Sequence, residues 1–202
     1  MIENTKITLS AKELELVCNT DWILTKHNII NKIYLLFGNA AVDMQQTVNK
    51  CFLSDEIKQT TPKISKGENY QLLPYVMLDY PRLFNKKNIM AIRTFFWWGD
   101  SISIHLLLSG DHKTNTIEKI KSVYTSLQHN DYSICIADTP WLHHFEADNY
   151  ILIKDMPANT FWDTLQNNSF IKIGKKISLT RLGEADAFIN NTFKEMINLL
   201  EN

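Results

Sequence analysis

Three closely spaced segments, residues 72–80, 89–98 and 101–109, are rich in β-branched, aromatic and aliphatic side chains, with polar positions set between them. That spacing predicts an antiparallel meander over residues 72–110. Gly99-Asp100 separates the last two segments, and a two-residue Gly-Asp connection predicts a tight hairpin with Gly99 at positive φ. Such a loop would place Trp98 opposite Ser101, Phe96 opposite Ser103, Thr94 opposite His105 and Ile92 opposite Leu107. The other face would pair Trp97, Phe95, Arg93 and Ala91 with Ile102, Ile104, Leu106 and Leu108, and is the one expected to pack on helices.

Helical periodicity flanks the meander. Ser10 and Glu13 form a capping-box pattern ahead of Leu14, Val17 and Cys18, so a short helix starts there. A second helix begins near Thr20 or Asp21, its stripe running from Trp22 through Ile29, Ile33, Leu36, Ala40, Met44 and Val48 to about Cys51, with Gly38 placed to kink or split it. Residues 54–71 are polar, include Pro62 and Gly67, and read as a loop. Beyond the meander, Asn115 and Glu118 repeat the capping pattern before Ile117, Ile120, Tyr124 and Leu127. Strands are expected at residues 132–137, 150–154 and 169–173, with a short helix after Pro157 carrying Phe161, Trp162 and Leu165. Leu182, Ala185, Ile189, Phe193, Met196 and Leu200 mark a long C-terminal helix. The expected architecture is a single α+β domain over residues 1–202: an antiparallel sheet around the 72–110 meander, N-terminal helices and a long C-terminal helix.

Composition adds limits. With 45% hydrophobic and 21% charged residues in 202, the chain can bury a core without metals or disulfides. A formal net charge of -1 supplies no field toward polyanions, so neither nucleic acid nor a membrane surface is an expected partner. Cys18, Cys51 and Cys135 are odd in number and lie in apolar patterns, which suits reduced thiols in the cytoplasm. Residues 1–10 lack the apolar core of a signal peptide, and the most apolar window, residues 89–108, is interrupted by Arg93, Asp100 and His105.

Candidate chemistry concentrates in the hairpin. Phe96 and Trp98 beside Ser101, Ser103 and His105 have the make-up of a pocket lining, suited to a small apolar or aromatic ligand or to a homodimer contact. The plainer reading of those residues is a partly solvated sheet face. Arg93, among apolar neighbours, needs a partner, and Asp79 is the nearest carboxylate on the adjoining strand; otherwise its planar fork would serve as an anion anchor. The stretch His143-His144-Phe145-Glu146-Ala147-Asp148 has metal-ligand chemistry. On a helix, however, His143 with Glu146 and His144 with Asp148 would lie on different faces, and no metal is expected.

No G-x-S-x-G motif occurs, Cys135 reads as a buried small hydrophobe, and the glycines are too dispersed for a phosphate-cradling loop. Lys172, Lys175, Lys176 and Arg181, with Glu184 and Asp186 close behind, read as a solvated strand end and helix start. No cofactor or catalytic set is therefore assigned. These features point to a non-catalytic small-ligand-binding or protein-interaction domain, the alternative being an enzyme with His105 as general acid or base and Arg93 or Arg82 anchoring an anionic substrate.

Overall fold

A strand with two apolar faces must be covered on both, and the central strands of this chain are of that kind. The computed structural model describes residues 7–201, so the polar stretch of residues 1–10 lies partly outside the described residues. Among the described residues, seven strands form one antiparallel sheet: β1 (Lys63–Tyr70), β2 (Leu73–Phe84), β3 (Ile89–Trp97), β4 (Ser101–Ser109), β5 (Ser133–Cys135), β6 (Tyr150–Leu152) and β7 (Phe170–Ser178). Their spatial order is β1-β2-β3-β4-β7-β5-β6. The helices are α1 (Ala11–Cys18), α2 (Thr20–Lys50), α3 (Asp55–Lys58), α4 (Gly110–Ser122), α5 (Tyr124–His129), α6 (Ala158–Asn167) and α7 (Ala185–Leu200). The α+β class, the sheet around the meander, the N-terminal helices and the long C-terminal helix are all present.

The hairpin register differs from the expected one. β3 and β4 pair Trp97 with Ser101, Phe95 with Ser103, Arg93 with His105 and Ala91 with Leu107. Three residues, Trp98, Gly99 and Asp100, form the connection, closed by a hydrogen bond from Asp100 N to Trp97 O at 3.2 Å. Gly99 does adopt a positive φ of 78°. One extra loop residue moves every β4 side chain to the other face relative to β3. Phe96 and Trp98 therefore lie on the helix side with Ile102 and Ile104, whereas Ser101, Ser103 and His105 share the opposite face with Arg93, Phe95 and Trp97.

The helix side holds the main core. Ile92, Phe96, Ile102, Ile104, Leu106 and Leu108 meet Ile33, Phe37 and Met44 of α2, Ile120 of α4, and Ile189 and Phe193 of α7. Phe96 is buried by the chain's own helices. Trp98 is half-buried and packs edge-on against Trp22, with ring centroids 6.2 Å apart.

Several boundaries also differ. α2 is one helix of 31 residues, continuous through Gly38. Residues 54–71 hold α3 and edge strand β1, whose polar composition suits a strand with exposed positions. β1 turns into β2 through Gln71 and Leu72 at φ 47° and 67°, the left-handed pair that a two-residue type I′ hairpin requires. α4 starts at Gly110, after the cap residue Ser109, instead of at Asn115, and α5 follows it as a separate helix. β5 is shorter than residues 132–137, β7 runs on to Ser178, and a 3-10 segment, Leu179–Glu184, precedes α7.

Candidate site on the covered polar face of the sheet

The face away from the main helices is covered by residues 136–149, the connection between β5 and β6. A connection lying over a sheet must satisfy its own backbone polar groups, and side chains of the sheet and of the connection itself do so here. Tyr70 Oη accepts from His143 N at 2.6 Å and from His144 N at 3.2 Å. Lys172 Nζ, on β7, donates to Pro140 O at 2.8 Å and to Leu142 O. Asn149, fully buried, donates to His144 O at 2.5 Å and accepts the Cys135 thiol at 3.3 Å.

Beneath this strap, four nitrogen-bearing side chains converge. Arg93 is held by Asp79 as a planar fork, Nε to Oδ1 at 2.7 Å and Nη2 to Oδ2 at 2.9 Å, as expected from their adjoining strands. Arg93 Nη1 meets His143 Nε2 at 3.0 Å, and His143 Nδ1 lies 3.3 Å from Lys172 Nζ. His105, opposite Arg93 in the register, has Ser103 Oγ at 2.9 Å from Nε2 and Tyr150 Oη at 2.8 Å from Nδ1. The absent Cβ of Gly174, opposite His105 on β7, leaves room for that imidazole: an added Cβ would stand 2.9 Å from Nδ1.

Burial dominates the electrostatics. It pulls His105 and His143 well below the usual histidine range, and Lys172 and the neighbouring cations lower them further. Lys172 is brought down to about 7, mainly by burial. Tyr150 and Cys135 are pushed up, first by burial, so the phenol and thiol keep their protons. Tyr150 Oη and Ser103 Oγ can each donate or accept, so one imidazole nitrogen of His105 donates and the other accepts. His105 is thus a neutral imidazole with both nitrogens engaged. Replacing Tyr150 by phenylalanine should orphan Nδ1 and lower stability by about 1–3 kcal/mol in urea denaturation. An unchanged midpoint would show that the phenol is not a partner.

The space left in this cluster is small. A cavity of about 10 Å³ is lined by Arg93, His105, His143 and Lys172 with Phe84, Ala91, Leu107, Pro140 and Trp141. Ligand pockets for small organic molecules measure roughly 300–1,000 Å³, so this one accommodates a water-sized species. Phe84 and Trp141, 44% and 49% exposed, form its outer wall with ring centroids 6.2 Å apart.

Of the residues singled out in the sequence, the structure brings Arg93, His105, Ser103 and Ser101 to one face, and Phe96 and Trp98 to the other. Arg82 donates to Thr61 O at 2.9 Å and does not line the cavity. His143 enters the cluster, whereas His144, also buried, has no hydrogen-bond partner for Nδ1 among the described residues; Asp148 Oδ1 stands 3.6 Å away. Among the described residues, no group of three or more His, Cys, Asp or Glu is placed to hold a metal. Lys172 and Tyr150 were missed as site members. Lys172 lies between Ile171 and Ile173 on a buried strand, and that apolar context was the available signal.

The fold and this cluster define an α+β domain with a buried, internally paired polar network on one sheet face. No protein-family model, curated protein or solved structure matches the chain. Among the described residues, no helix is long and apolar enough to cross a membrane.

Proposed function

We propose that this chain is a non-catalytic, cytoplasmic protein-interaction domain that self-associates through its N-terminal helical arm. The observation that carries this reading is that α1 has no buried residue and that the burial of α2 begins only at Ile30. An isolated eight-residue helix is marginal in water, and α1 gains its reciprocal Ser10–Glu13 capping box but buries no side chain against the other described residues. Leu14 and Val17 lie on one face, 55% and 69% exposed, and Trp22, Ile23 and Leu24 follow on α2, each 45–57% exposed. Ile7, Leu9 and Leu16 add further exposed apolar side chains to the arm, and a concentration of exposed apolar groups of this kind marks an interaction surface.

The occupant we favour is a second copy. A two-fold pairing lays the same exposed apolar positions of both arms against each other, and such isologous pairs are the commonest oligomeric arrangement. Sedimentation velocity at tens of micromolar should show a dimer for the parent and a monomer for L14E/V17E. Melting of the variant at low concentration should stay unchanged, because neither residue is buried in the protomer. A monomeric parent, or a variant that still dimerises, would contradict the proposal.

A second reading has one observation in its favour. His105 and Arg93 are cross-strand neighbours beside a cavity, as an acid or base and an anion anchor would be. Against it, Asp79 occupies the guanidinium fork, and Ser103 and Tyr150 occupy both imidazole nitrogens.

A further inference from the structure

Away from the polar cluster, residues 51–54, which join α2 to α3, border a cavity of about 510 Å³. Its other walls are α4, the end of α7 and Met90 of β3. That volume falls within the roughly 300–1,000 Å³ of pockets for small organic molecules. Leu53, Ile57, Met90 and Leu199, all buried and all part of the main core, give it an apolar floor. Phe52 also lines it, yet is 85% exposed and belongs to neither core cluster. A large apolar ring thus stands at the mouth of an apolar cavity without packing on its own chain.

Three polar groups of this cavity have bonding capacity that the described residues do not use. Thr116 is 8% exposed, and its hydroxyl has no hydrogen-bond partner among them. Unpartnered side-chain atoms sealed from solvent are Thr94 Oγ1 and His144 Nδ1, so Thr116 Oγ1 reaches open space, and the cavity is that space. Lys119 Nζ gives one hydrogen to Glu201 O, which leaves two. The Glu201 carboxylate accepts from Phe52 N at 3.0 Å and from the Cys51 thiol, about half of what a carboxylate can accept. Neither charge forms an ion pair with a described residue. Lys119 touches the main chain of the residue that carries the carboxylate, so the two charges stand about one side chain apart.

We propose that this cavity binds a free amino acid with a large apolar or aromatic side chain. The ligand carboxylate accepts the two remaining hydrogens of Lys119, and the ligand ammonium donates to the Glu201 carboxylate and to Thr116 Oγ1. Its side chain lies over Leu53, Ile57 and Met90, with the Phe52 ring closing on it. A ligand with a negative charge alone would face Glu201, and one with a positive charge alone would face Lys119. A zwitterion answers both, and the short separation of its two charges matches a lysine and a carboxylate joined through one residue.

L-Phenylalanine, titrated into the full-length protein labelled with methyl-13C methionine, tests this. The Met90 methyl resonance should shift with saturation, while those of Met77 and Met156, which do not line the cavity, should stay in place. Phenethylamine, which lacks the carboxylate, and 3-phenylpropionate, which lacks the ammonium, should each bind at least roughly tenfold more weakly. Lys119→Gln and Glu201→Gln should each weaken phenylalanine binding by a similar factor; should either variant not fold, the two analogues decide on the parent protein. The absence of a saturable Met90 shift up to about 10 mM phenylalanine would overturn the proposal. So would a singly charged analogue that binds as well as phenylalanine, or folded K119Q and E201Q variants that keep the parent affinity.

Discussion

Replacing Arg93 by methionine is expected to lower the stability of the protein by about 3–5 kcal/mol, more than any other single substitution in the polar cluster. Asp79 is 4% exposed, and both its oxygens are held by the guanidinium. Removing the cation leaves a buried carboxylate without its charge partner. In a chain of this size the loss corresponds to a fall of roughly 10 °C in Tm. His143 would also lose its donor at Nε2, so the strap over the sheet should loosen with the pair. The double change R93M/D79L is expected to recover much of the stability, because replacing a buried pair by apolar groups removes both desolvation penalties. A single variant as stable as the parent in urea would show that the pair contributes nothing net.

Raising the pH from 7 to 8.5 is expected to stabilise the fold by about 1.5 kcal/mol through Lys172. The amine loses its proton near 7 in the folded chain, against an ordinary value of 10.5. Between those values the unfolded chain holds the extra proton, so stability rises with pH; below about 7 both forms are charged and Lys172 adds no further dependence. Other groups bound the useful window. His105 and His143, neutral when folded, remove stability as the pH falls below about 6.5. Cys135 and Tyr150, held protonated when folded, remove it as the unfolded thiol and phenol ionise near 9 and 10. Urea midpoints measured between pH 7 and 8.5 should therefore climb, and Lys172→Met should flatten the climb. A flat profile for the parent would mean that Lys172 is charged in the folded state.

The contrast between what the sequence revealed and what it concealed turns on a single loop residue. Alternation located β2, β3 and β4, because their apolar and β-branched content marks strands whatever their register. It could not orient β3, since Ile92, Phe96 and Trp98 on one face are as apolar as Phe95 and Trp97 on the other. The one asymmetric residue was Arg93, whose charge matches the polar series Ser101, Ser103 and His105 of β4 better than Ile102, Ile104 and Leu106. Matching polarity across the pair would have selected the three-residue loop over the Gly-Asp turn.

The Arg93–Asp79 pair was legible because adjoining strands are close in sequence and a buried guanidinium demands a carboxylate. His143, Lys172 and Tyr150 come together only through the strap of residues 136–149 and the placement of β7 beside β4, and no local pattern encodes either. Edge strand β1 was hidden for a different reason: its positions are mostly exposed, so its composition resembles that of a loop.

The proposal that the arm works by docking a second copy makes α1 a helix whose order depends on association. Hydrogen exchange of the amides of Ala11–Cys18, followed from submicromolar to hundred-micromolar protein, tests that dependence directly. Protection should rise with concentration along the same curve as the dimer population, while the amides of β3 and β4 stay protected throughout. Protection of α1 that is independent of concentration, or absent even at the highest, would contradict the account.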